Sequence, residues 1–396
     1  MNKHELKKRG KDAFRKTLSS APTPLKRFLT AKEIGRLTSP LLSPDELTIC
    51  ERQPERRKEI LSEHKKNNPK AVRSLEKKIH SVIADPGFAL DEEKASALRD
   101  DMEYAWYAYG FQPKEFVYFH LEDKDIRTFV SDTERQCIKH AMNDFTQSVF
   151  ADKAKVYRYF KEWYKRDAAV IESKKDFDRF EAFVRKHPTF VVKIVNSSMG
   201  KGVWLQESSE DHRRDFSEII RHGKVLLEER IVQKEEMGQF NASSINTVRV
   251  STYLTRDGVI PGHGFMRTGR AGSFVDNGGS GGIFSLVDVK AGAVISDGSD
   301  EYGNTYAKHP DTGIAYKGFA FPDWEEALKI CTEASPLFPE MKYKSFDLAY
   351  SAKGWAVVEI NPSGELLQQA CMAVGEKENI RQILDRMDLI CPYTFR

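Results

Sequence analysis

Phe346-Asp347-Leu348-Ala349-Tyr350-Ser351-Ala352-Lys353-Gly354-Trp355-Ala356-Val357-Val358-Glu359-Ile360-Asn361 reads as two strands joined by a Ser-Ala-Lys-Gly turn. Alternation along a strand puts Glu359 and Asn361 on one face, and a hairpin through the turn brings Asp347 beside them. Two carboxylates and an amide oxygen on one strand pair form an anionic, oxygen-rich cluster. Hard Mg²⁺ takes such ligands and completes its shell with phosphate oxygens. Like charges held together are costly without a cation, so removing one carboxylate is expected to leave the fold intact. A solvated strand face is the plainer alternative.

Working outward, Thr189-Phe190-Val191-Val192-Lys193-Ile194-Val195 reads as a buried strand carrying one lysine, an expensive placement unless the charge is used. It runs into Asn196-Ser197-Ser198-Met199-Gly200-Lys201-Gly202, a Gly/Ser turn, and then an apolar strand from Val203. Backbone N–H groups of such a turn can approach phosphate oxygens closely. The spacing is not that of a Walker loop, and a plain turn fits too. Val225-Leu226-Leu227-Glu228-Glu229-Arg230-Ile231-Val232-Gln233 is an apolar strand that breaks into charge. It could meet an adenine edge through its backbone and a ribose or amine through an acid, or be any edge strand.

This order of parts resembles the ATP-grasp superfamily. With Ser244-Ile245-Asn246-Thr247-Val248-Arg249-Val250, the loop Val275–Ile283, His309-Pro310-Asp311-Thr312-Gly313, Gly318-Phe319 and Pro322-Asp323-Trp324, it is similar to the sugar-transfer-associated ATP-grasp family over roughly 106–380. The resemblance implies an α+β ATP-grasp fold, two lobes clasping ATP, with a helical N-terminal region. It divides the chain into a helical region 1–105, a helical segment 106–188 and catalytic lobes 189–396. Asp152-Lys153 matches an acid–lysine pair at a helix start, so Lys153 and Lys193 would contact ATP phosphates, with Ser197, Ser198, Gly200, Lys201 and Gly202 in the phosphate hairpin. Glu228, Glu229 and the Ile231 backbone would hold the nucleoside. Asp347, Glu359 and Asn361 would be the ligands of Mg²⁺ or Mn²⁺, and Arg249, Arg267 and Asn277 the catalytic set. The family pattern has Gly-Trp-Asp where this chain has Ser345-Phe346-Asp347, and here Pro362-Ser363-Gly364 follows the metal asparagine.

The implied activity is ATP-dependent joining of a carboxylate, from a sugar acid or other anionic saccharide, to an amino acid or amine. A peptide carboxylate, phosphoryl transfer to a sugar, and a non-catalytic ATP-binding adaptor are the alternatives. The 276–282 loop has five Gly or Ser in seven residues, the composition of a lid.

Composition sets bounds. The chain has 396 residues, 40% hydrophobic and 31% charged, as in an ordinary globular protein of two or three domains. Residues 1–30 hold nine Lys/Arg against two acids, an arm that could meet an anionic polymer or be a solvated helix. Nucleic acid is not the expected partner. Five scattered cysteines without paired spacing suit reduced thiols. No apolar run approaches the ~18 residues of a membrane span, and no signal-peptide core is present, so a cytoplasmic location is expected. No HExxH or Gly-x-Ser-x-Gly motif points to a metalloprotease or serine hydrolase. From Pro54 to Ala84 the apolar spacing predicts helices without catalytic residues, a packing or docking module. Helices are also expected over Asp152–Arg166, around Phe177–Val184, about Trp324–Ser335 and about Lys377–Met387, with strands dominating after 189.

Overall fold

The computed structural model describes residues 23–144, 150, 152–197, 202–270, 272, 273, 276, 281–364 and 368–396. Most of the basic arm, and Ser198, Gly200, Lys201 and Asn277, lie outside them.

Two antiparallel sheets carry the site. The smaller has the order β1-β4-β2-β3, with β1 Ala168–Ile171, β2 Thr189–Ile194, β3 Val203–Glu207 and β4 Val225–Glu229. The larger has the order β10-β9-β7-β6-β5-β11-β12 with β8 beside β7. Its strands are β5 Thr247–Thr255, β6 Gly258–Thr268, β7 Ile283–Asp288, β8 Ala293–Val294, β9 Gly298–Ser299, β10 Thr305–Tyr306, β11 Tyr343–Ser351 and β12 Gly354–Asn361. The β2–β3 and β11–β12 hairpins form as the sequence predicts. One strand was not foreseen. β1 falls inside the segment read as helical, because four apolar residues between two helices give too short a run to show a period.

Alternation explains how the large sheet is built. Val248, Val250, Met266, Phe346, Leu348 and Ile360 turn to one face and pack against the helices Lys153–Tyr164 and Trp324–Ala334. Arg249, Ser251, Ser345, Asp347, Glu359 and Asn361 are left on the other. That second face is also covered. Phe265, Phe284 and Leu286 belong to the apolar cluster of the N-terminal helices, which includes Leu75, Ile79, Trp106, Phe116 and Phe129. Tyr253 and Tyr343 pack under Ile138, Ile380 and Leu384 from the helices Asp132–Met142 and Lys377–Leu384. The N-terminal helices thus serve as packing, on the face that bears the charged residues. Among the described residues, no helix is long and apolar enough to cross a membrane.

Candidate active site

The site forms where edge strand β12 meets the small sheet. Asp347 stands opposite Glu359 in the β11–β12 ladder, and Ser345 opposite Asn361. A register shift after Asp347 pairs Leu348 with Val357 and leaves Val358 as an extra residue. Without this bulge Val358, not Glu359, would face Asp347.

Asp347 is 2% exposed and does not sit in a cluster of unbalanced like charges. Arg249 grips it with both Nε and Nη2, at 2.7 and 2.9 Å, and Arg267 Nη2 adds a bond of 3.0 Å. Asn361 Nδ2 donates to the same carboxylate at 3.3 Å. Burial opposes ionisation, but the two guanidiniums outweigh it and hold the carboxyl at about 2. The premise that like charges crowd this carboxylate is therefore corrected: Asp347 is the counter-ion shared by two largely buried arginines, so its loss is expected to weaken the fold. Arg267 also donates to Thr247 Oγ1 and lies 3.7 Å from Asp276. Asp276 accepts from the Thr247 N–H, and burial raises its carboxyl despite Arg267.

The other half of the site is built by the small sheet. Glu228 is 3% exposed and its Oε2 accepts from Arg166 Nε and Nη2, at 2.9 and 2.7 Å, and from Lys193 Nζ at 2.9 Å. Burial works against the charge, yet these two cations keep the carboxyl below its usual range. Glu228 Oε1 is buried with no hydrogen-bond partner among the described residues. Lys153, first residue of its helix after the cap Asp152, donates to the Ser197 carbonyl and lies 3.6 Å from Glu359. Ser197 Oγ is turned back to Ile194 O at 2.7 Å. Gly202, at φ +74°, closes the hairpin by accepting from the Ile194 N–H at 2.8 Å.

Lys153, Lys193, Glu228, Arg249, Arg267, Asp347, Glu359 and Asn361 therefore converge. Glu229 does not join them. As the next residue in β4 it faces the other way, where it takes Lys353 Nζ at 2.7 Å and the Asp167 N–H at 2.9 Å. Asp167, His187 and Glu229 lie close enough to share a cation, but Lys186 and Lys353 already neutralise the two acids. Ile231 follows β4, half-buried. Sequence reasoning missed Arg166, Thr247 and Asp276. An arginine after a helix, or an acid beside a Gly/Ser loop, has no spacing that marks it.

Residues 134–385, well over half of the chain, match the family described as sugar-transfer associated ATP-grasp. The chain belongs to the sugar-transfer associated ATP-grasp family. Its fold class is accordingly α+β of the ATP-grasp type, with a helical N-terminal region. Comparison with curated proteins gave no match. Similar solved structures include D-alanyl-alanine synthetase A from Vibrio cholerae, at 9% identity and TM-score 0.38, covering 61% of this chain and 66% of that one. The ATP-grasp ligase PsnB with its minimal precursor aligns at 12% identity and TM-score 0.38, covering 62% and 64%. VanG D-Ala:D-Ser ligase from Enterococcus faecalis aligns at 14% identity and TM-score 0.37, covering 60% and 61%. The chain thus spans less than two thirds of the length of each of these structures.

In this ATP-grasp site the donors fit a hard divalent cation. Asp347 and Glu359 offer carboxylate oxygens and Asn361 its amide oxygen, on neighbouring positions of one strand pair. Beyond them the same face continues through Ser345 and Ser251 to Tyr343 and Tyr253. The Pro362-Ser363-Gly364 turn lies over it: Ser345 Oγ donates to Ser363 O at 2.8 Å. A Cβ on Gly364 would come within 2.2 Å of Ser251 Oγ and 2.6 Å of Tyr343 Oη. Gly364→Ala is therefore expected to cost about 1–3 kcal/mol of stability by overpacking, read as a lowered urea midpoint with an unchanged slope. An unchanged midpoint would show that the turn can lift off the sheet.

The Asp347 arginine clamp also sets a pH dependence. A carboxyl held at about 2, against 3.8 when free, adds stability above the free value and loses it as pH falls through the folded one. The stability gap between wild type and Asp347→Asn should narrow by about 1 kcal/mol from pH 5 to pH 3. Urea titrations of both proteins at the two pH values check this; a constant gap would mean that the clamp does not favour the ionised form.

Proposed function

We propose that this ATP-grasp enzyme is an ADP-forming carboxylate–amine ligase acting through an acyl-phosphate, with a sugar acid or other anionic saccharide as carboxylate and an amino acid or amine as nucleophile. The observation that carries the reading is the meeting of three elements where the two sheets join: the Lys193–Glu228 pair of the small sheet, the Lys153 helix start, and the Asp347–Glu359–Asn361 oxygens flanked by Arg249 and Arg267.

Lys153 and Lys193 provide fixed positive charge for the ATP phosphates. Glu228 Oε1, buried and unpartnered among the described residues, suits the adenine amino group. Asp347, Glu359 and Asn361 would hold Mg²⁺ or Mn²⁺, which would supply positive charge opposite the transferring phosphoryl group. A substrate carboxylate oxygen takes the γ-phosphoryl group and ADP departs. The amine then forms the C–N bond, phosphate leaves with the C–O electron pair, and the amine proton is lost. Arg249 and Arg267 face the developing negative charge from preorganised positions. Ser198, Gly200 and Lys201 would extend the phosphate cradle and Asn277 the catalytic set. The carboxylates of Asp347 and Glu359, absent from any simple nucleotide-holding role, favour turnover over a binding adaptor.

ADP release by the full chain with ATP and Mg²⁺, over a panel of uronic acids, short peptides and amino acids with product masses, tests the proposal. ADP formation that requires both a carboxylate and an amine, with a product lighter by one water than their sum, supports it. ADP formed with a sugar alone, and a product heavier by one phosphoryl group, would replace it with phosphotransfer.

A further inference from the structure

The outward-facing carbonyls of an edge strand have no strand partner and need another donor. In β12, the edge of the large sheet, this donor is Arg166. Its Nη1 donates to Val357 O and Tyr164 O, and its Nη2 lies 3.4 Å from Val358 O. The same guanidinium grips Glu228 of the small sheet through Nε and Nη2. Its side chain is 3% exposed and lies 4.4 Å over the Tyr164 ring. Lys193 completes the joint, 2.9 Å from Glu228 and 3.4 Å from Val358 O.

The position of these carbonyls matters. Val357 and Val358 form the bulge that brings Glu359 opposite Asp347. One arginine therefore holds both Glu228, on the nucleotide side, and the bulge that aims Glu359. We propose that Arg166 is a positioning residue for the ligase reaction, coupling the nucleotide-facing acid to the placement of Glu359. The inference rests on the ATP-ligase reading above. Arg166 contacts no reacting atom. It acts because a planar fork can bond a carboxylate on one side and carbonyls on another, which an ammonium cannot do.

Arg166→Lys separates the two jobs. It keeps a cation beside Glu228 and loses the bonds to Val357 and Val358. ADP binding by calorimetry, ATP KM and kcat per folded molecule, and amide hydrogen exchange are measured on wild type and variant. The expected result is ADP affinity and ATP KM within about 3-fold of wild type, kcat down about 10–100-fold, as for partners that orient a functional ligand, and exchange accelerated over 357–361 but not over β5. Glu228→Gln, which keeps size and weakens the grip on Arg166, should accelerate exchange over the same residues, and covers the case in which Arg166→Lys does not fold. Unchanged exchange at 357–361 in a folded variant, or kcat per folded molecule equal to wild type, would overturn the coupling. Failure of wild type to bind ADP would instead remove the nucleotide reading, while the exchange comparison would still decide whether Arg166 holds the bulge.

Discussion

Asp347→Asn should abolish turnover, by at least about 10³-fold, and also destabilise the protein by about 3–5 kcal/mol, the usual effect of breaking a buried ion pair from one side. Both parts follow from one environment. The carboxylate is buried, accepts three bonds from Arg249 and Arg267, and faces Glu359 across the ladder. An amide retains the shape, but it removes the carboxylate charge that the two guanidiniums share and would take one anionic donor from the proposed metal set. Glu359→Gln differs in a useful way. Its side chain is 43% exposed and its ion pair, with Lys153, is 3.6 Å long, so activity should fall without a comparable loss of stability. Thermal melts and ADP-release assays on the two variants separate the roles. An Asp347→Asn protein as stable as wild type would show that the arginines do not depend on this carboxylate; normal ADP release would remove Asp347 from the site.

Lys193→Ala is expected to weaken nucleotide binding and catalysis together, by about 10²-fold or more in kcat/KM, since a phosphate contact would act in both ground and transition states. The structure adds a second effect. Lys193 shares Glu228 with Arg166, and its loss halves the positive charge on a carboxylate that is 3% exposed. The Glu228 carboxyl should then rise toward its usual range, and the variant should lose stability as well as affinity. Calorimetric titration with ADP, with denaturation in parallel, reads both. Unchanged ADP affinity would mean that Lys193 serves only the Glu228 joint.

The local hairpins were legible because each rests on short-range signals: alternating apolar residues, a Gly-containing turn, and a charged residue where an apolar one is expected. Lys193, Asp347 and Glu359 stand out for that reason. Which residue pairs with which was not legible, because pairing across the fold has no spacing. Arg249 and Asp347 are 98 residues apart, and Arg166 and Glu228 are 62 apart. The sign of the Asp347 environment was missed for the same reason: nearby acids in the sequence suggested repulsion, while distant arginines supply the compensation. Glu229 shows the limit of matching a motif without its strand geometry, since one step along β4 reverses the face. The bulge at Val358 is likewise invisible to a period-2 count, although it decides which residue meets Asp347. The N-terminal helices gave a packing signal but not its target, the charged face of the large sheet.

The most direct test of the central claim follows one oxygen. A carboxylate substrate selected by the ADP-release panel is labelled with ¹⁸O in its carboxyl group and turned over with ATP, Mg²⁺ and the amine. Passage through an acyl-phosphate predicts one ¹⁸O atom in the released phosphate and one retained in the amide product. Unlabelled phosphate alongside amide formation would contradict carboxylate activation by phosphoryl transfer.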